Sequence, residues 1–70
     1  MLSPKVIGIL GAGRVGTAIA RRALAAGYEV RIASARAPSD IAMVLDFVAP
    51  GVKPVTAEQV IAESDIIVLA

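Results

Sequence analysis

Gly11-Ala12-Gly13-Arg14-Val15-Gly16 constrains this chain more than any other segment. It follows the apolar run Val6-Ile7-Gly8-Ile9-Leu10 and precedes the helix-like stretch Thr17 to Ala26. The spacing is G-x-G-x-x-G, and strand, tight turn and helix form the one setting in which that spacing carries meaning. A helix beginning there presents bare backbone N–H groups, which suit a pyrophosphate. Gly11 is expected to allow the tight turn, and Gly13 to let the main chain approach the phosphates with no Cβ in the way. Gly16 is expected to let the helix pack closely against the first strand. The chain opens as a dinucleotide-binding fold.

The rest of the sequence repeats that alternation. Lys5 to Leu10 reads as a strand that is apolar on both faces, as a central parallel strand is. A helix from Arg14 to about Ala26 carries Val15, Ile19, Ala23 and Ala26 at helical spacing, and Gly27 suits its C-terminal stop. Tyr28 to Ser34 reads as a second strand. Its Val30 and Ile32 point one way and its Glu29 and Arg31 the other, which suggests a less central place in the sheet. Ala35 to Ser39 is a loop, with Ser39 as cap of a second helix from Asp40 to about Val48. That helix carries Ile41, Val44, Leu45 and Val48 as a stripe, and Pro50-Gly51 stops it.

Val52 to Val55 makes a short third strand, which Pro54 demotes to an edge or irregular position. Thr56-Ala57-Glu58-Gln59 has the spacing of a capping box and opens a helix to about Glu63. Ser64-Asp65 turns the chain into a last apolar strand, Ile66 to Ala70. The order β-α-β-α-β-α-β predicts an α/β fold: part of a Rossmann-like, doubly wound parallel sheet with strand order 3-2-1-4. Residues 1–70 form one domain on this reading. Because the sequence stops at a buried-type strand, it is expected to be part of a longer polypeptide.

Composition agrees. The chain has 70 residues, 57% of them apolar, against roughly 45–50% in ordinary globular proteins. Tyr28 and Phe47 are its aromatic residues, so aliphatic side chains must fill the core. Seven basic residues nearly cancel six acidic ones, which leaves no electrostatic case for nucleic acid or an anionic membrane. Without cysteine there is no disulfide framework and no thiolate site, and without histidine the commonest acid/base group is missing. Met1 to Leu10 lacks the form of a signal peptide, and charges interrupt every candidate membrane span. A cytoplasmic protein is the default expectation.

The tip of the second strand bears on which dinucleotide is held. A site for NAD places an acid about 20 residues past the motif, on the ribose hydroxyls. Here the tip reads Ala33-Ser34-Ala35-Arg36, with a hydroxyl and a guanidinium in place of an acid. Ser34 and Arg36 suit a 2′-phosphate, which an acid would repel. The reading is therefore NADP, with Asp40 assigned to the start of the second helix. Arg14 is a candidate contact from within the loop. Leu69 and Ala70 end the fourth strand where its backbone would border the cofactor ribose. Glu58, Glu63 and Asp65 read as turn and helix-surface groups, and no residue stands out as an acid/base catalyst. Hydride transfer needs none where the partner is itself a redox cofactor, since positioning the two rings carries most of the work.

The string VIGILGAGRVGTAIARRALAAGYEV, the tip IASAR and the closing ESDIIVLA resemble the N-terminal half of NADPH-dependent reductases of the deazaflavin (coenzyme F-420) type. Pyrroline-5-carboxylate reductases and the 3-hydroxyisobutyrate and 6-phosphogluconate dehydrogenases share the opening. Many of those carry Met before the last loop glycine, where Val15 stands here. The resemblance implies an NADP oxidoreductase with a deazaflavin as possible co-substrate. It implies a phosphate loop at Gly11, Ala12, Gly13, Arg14 and Val15, and a 2′-phosphate site at Ser34 and Arg36; Gly16 completes the cofactor-binding motif. It also implies a homodimer, through parts beyond Ala70. Two rival readings are a non-catalytic NADP(H)-sensing module and the first part of a hydroxyacid-dehydrogenase-like or pyrroline-5-carboxylate-reductase-like enzyme.

Overall fold

The computed structural model describes residues 5–70. The first four residues of the segment weighed above as a signal peptide lie outside them. The elements are β1 (Val6–Leu10), α1 (Arg14–Ala25), β2 (Glu29–Ala33), α2 (Pro38–Val48), β3 (Lys53–Pro54), α3 (Ala57–Glu63) and β4 (Ile66–Leu69). They form one four-stranded sheet in the order β3-β2-β1-β4, and every pairing is parallel. This is the Rossmann-like α/β arrangement expected from the alternation. No helix among the described residues is long and apolar enough to cross a membrane.

Alternation along the strands divides the side chains between two layers. Ile9, Val30 and Ile32 point to one face, where Ala20 of α1 and Ile41 and Leu45 of α2 pack on them. Ala49 and Val52, in the connection to β3, complete that core. Gly8 and Arg31 point to the opposite face, under α3. A Cβ on Gly8 would clash with Ser64 Oγ and come within 2.7 Å of Val60, so the missing side chain is what lets α3 lie close to β1.

Several local expectations are corrected. In α1 the fully buried positions are Gly16 and Ala20, while Val15 is 64% exposed and Ala26 is exposed. The helix therefore turns a smaller-residue face to the sheet, which brings it closer. Gly27, with φ of 97°, follows the C-cap residue Ala26. α2 begins two residues earlier than expected: Ala37 is its N-cap and Pro38 its first helical residue, and Ser39 makes no cap. Proline's fixed φ and missing N–H suit that first position, so no hydroxyl cap is needed to start the helix. Val44 is 56% exposed, so it leaves the core stripe.

β2 lies between β3 and β1, and on its charged face Glu29 is exposed while Arg31 is largely covered. Arg31 Nε pairs with Glu63 Oε1 at 3.0 Å beneath α3, and only 17% of the arginine side chain is exposed. β3 is reduced to two residues at the sheet edge, as Pro54 foretold. The capping box at Thr56 is formed in full. Gln59 N–H donates to Thr56 Oγ1 at 3.1 Å, and Thr56 N–H donates to Gln59 Oε1 at 2.9 Å. Asp65 closes the far end: Val6 N–H donates to its Oδ2 at 2.9 Å.

Candidate functional site

The glycine loop leaves β1 at the carboxyl end of the sheet. Gly11 takes φ of 120°, a conformation that favours glycine, and its N–H donates to Ala33 O of β2 at 2.7 Å. That bond joins the loop to the end of β2. On the other side, Ala70 N–H donates to Leu10 O at 3.0 Å, holding the end of β4 against the loop. A Cβ on Gly16 would run into the Gly11 carbonyl oxygen and lie 3.5 Å from Ala70 Cβ. The third glycine thus lets the helix approach its own loop and the end of β4, rather than strand one as expected.

Gly13 is different. Its φ of −80° is open to any residue, and a Cβ there would meet nothing within 4 Å. Neither backbone conformation nor packing requires glycine at this position. It is also the N-cap of α1, where no side chain caps the helix and no acidic residue occupies the first turn. The first intrahelical bond runs from Thr17 N–H to Gly13 O at 2.9 Å, so the preceding first-turn N–H groups lack helical acceptors. They sit at the positive end of the helix dipole, beside the open space over Gly13.

That space continues into a cleft of about 330 Å³. Ala12 and Gly13 form one wall, Ser34, Ala35 and Arg36 the rim at the tip of β2, and Ile41, Val44 and Leu45 of α2 the apolar side. Arg36 is the single charged residue lining it, and no carboxylate does. Ser34 shapes the rim: its Oγ accepts from Arg36 N–H at 3.0 Å and donates to Arg36 O at 3.3 Å. This side-chain turn fixes the Arg36 backbone and leaves its guanidinium outside every ion pair found among the described residues.

The expected site residues therefore separate into two groups. Ala12, Gly13, Ser34 and Arg36 line the cleft together. Gly11, Arg14, Val15, Gly16, Leu69 and Ala70 do not. They form the turn, the exposed first turn of α1 and the adjoining end of β4, with Leu69 80% exposed. Ile41, Val44 and Leu45 were read as a core stripe and not as cleft residues. Helical spacing marks an apolar residue as inward-facing without saying whether a core or a cleft lies there. No group of three or more metal-ligating side chains is gathered among the described residues.

A family model described as NADP oxidoreductase, coenzyme F420-dependent, matches residues 6–70. The crystal structure of a hypothetical protein from Sinorhizobium meliloti is similar, with a TM-score of 0.73 at 30% sequence identity. The match covers 93% of this chain and 32% of that one, so the chain spans about a third of its length. No curated protein matches the sequence.

Proposed function

The chain belongs to the family of coenzyme F420-dependent NADP oxidoreductases, and from that premise we propose that it is the module that holds NADP(H) during hydride transfer to or from a deazaflavin. The observation that carries the reading is the open space over Gly13. A glycine that neither conformation nor packing demands, at an uncapped helix N-terminus, is explained by a ligand that must come close to the backbone.

The residues present fit such a ligand. First-turn N–H groups of α1, including those of Arg14 and Val15, would hold the pyrophosphate, with the Arg14 side chain alongside it. Ile41 and Val44 offer an apolar wall of the kind a purine ring needs, facing the backbone of Ala12 and Gly13. Ser34 and Arg36 would hold a 2′-phosphate: the hydroxyl can turn its proton from Arg36 O to the phosphate, and the guanidinium enters no ion pair among the described residues. Leu69 and Ala70, which lie beside Leu10 and Gly11, would border the nicotinamide ribose. The cofactor supplies the hydride chemistry, and this chain supplies binding and orientation.

The test is a paired titration of the chain with NADPH and NADH, followed by the cofactors' own fluorescence. Tighter binding of NADPH supports the reading. Equal affinity for both cofactors overturns the NADP assignment, and no binding by a folded chain overturns the autonomous module.

A further inference from the structure

We propose that Thr17 is a positioning residue for the phosphate site: its hydroxyl aims the two backbone N–H groups at the start of α1 that would meet the pyrophosphate. The inference rests on the cofactor reading above. It assigns a role to a side chain that belongs neither to the glycine motif nor to the cleft lining.

Thr17 Oγ1 donates to Gly13 O at 2.9 Å and also reaches Arg14 O at 3.2 Å. Thr17 N–H donates to Gly13 O at 2.9 Å as well, so two donors of one residue hold the Gly13 carbonyl. A trans peptide is planar and sends its C=O and N–H in opposite directions. Gly13 O shares its peptide unit with Arg14 N–H, and Arg14 O shares its own with Val15 N–H. Drawing both oxygens toward Thr17 therefore turns both N–H groups toward the open end of the helix. That is the end at which a Cβ on Gly13 would meet nothing within 4 Å.

Gly13 is what gives the hydroxyl its effect. Glycine restricts its own ψ least of all residues, so hydrogen bonds rather than a side chain must set the plane of the Gly13–Arg14 peptide. The helix supplies one such bond, and no side chain caps this end. A threonine that bonds back to the preceding turn is ordinary in a helix and slightly unfavourable to it. Here its two acceptors belong to the peptide units whose N–H groups lack helical partners. Donation to a carbonyl also polarises the N–H of the same unit, which makes it a stronger donor. Groups already aimed at a ligand lose less freedom when they bind it.

Titration of the parent chain and Thr17 variants with NADPH and NADH tests this. Thr17→Val keeps the shape and loses the hydroxyl. Thr17→Ala loses it while raising helix propensity, so weaker binding there cannot come from a weaker helix. Both variants should bind NADPH and NADH about threefold to tenfold less tightly, as expected for one hydrogen bond. The two cofactors should lose by the same factor, since both carry the pyrophosphate, and Thr17→Ser should recover the parent affinity. Parent affinity in folded Thr17→Ala overturns the proposal. A loss that Thr17→Ser does not recover overturns it too, because the methyl group and not the hydroxyl would then matter. A loss confined to NADPH removes Thr17 from the pyrophosphate. A folded parent chain that binds neither cofactor overturns the cofactor reading itself, and this inference with it.

Discussion

The Ala70 carbonyl oxygen lies so near Gly11 that a Cβ on the glycine would stand 2.8 Å from it. The end of the fourth strand thus closes on the first residue of the glycine loop, across 59 positions of sequence. Positive φ and lack of room act together at Gly11, so Gly11→Ala carries two penalties. The conformational one alone is roughly 1–2 kcal/mol. Thermal unfolding should show at least that loss. A midpoint equal to that of the parent would mean that the loop is free to rearrange.

Gly13 makes the opposite prediction. Gly13→Val has room and an ordinary backbone conformation, so its effect on folding is limited to a poorer N-cap, about 1 kcal/mol. Binding of NADPH and NADH should both disappear, because the branched side chain would occupy the space proposed for the pyrophosphate. Retained affinity in the folded variant would reduce the motif to a turn.

Arg36→Ala should separate the two cofactors. Loss of a charge-assisted contact to the 2′-phosphate costs roughly 1–3 kcal/mol. NADPH affinity should therefore fall about fivefold to 150-fold, while NADH affinity changes little. The guanidinium supports no ion pair among the described residues, so stability should hold. Equal loss for both cofactors would remove Arg36 from the 2′-phosphate site.

Two apolar residues of α2 should differ sharply. Leu45 is 1% exposed within the core, whereas Phe47 is 91% exposed. Leu45→Ala should cost about 2–5 kcal/mol, enough to unfold a domain this small. Phe47→Ser should stay within roughly 0.5 kcal/mol of the parent. Denaturant titration of both variants checks the placement of α2. Comparable losses would mean that the helix is rotated about its axis.

Arg31 offers a different test, because its side chain is mostly buried and its Nη1 has no hydrogen-bond partner among the described residues. Glu63→Gln removes the closest compensating charge and should destabilise the fold by about 1 kcal/mol. No effect on the unfolding midpoint would show that Glu63 contributes nothing to holding α3 on the sheet.

Local rules were enough for the order of elements, the loop and one helix start. The glycine spacing, the apolar runs and Thr56-Ala57-Glu58-Gln59 each act within a few residues, where steric limits and short hydrogen bonds decide the outcome. The parallel order 3-2-1-4 followed because alternating strands and helices leave few ways to bury both faces of a sheet. Other features depended on what lies opposite. Spacing placed Glu29 and Arg31 on one face of β2, yet only the packing of α3 brings Glu63 to Arg31 and covers most of the arginine. Ile41, Leu45 and Val44 share one stripe, and it is the position of the glycine loop that makes part of it a cleft wall.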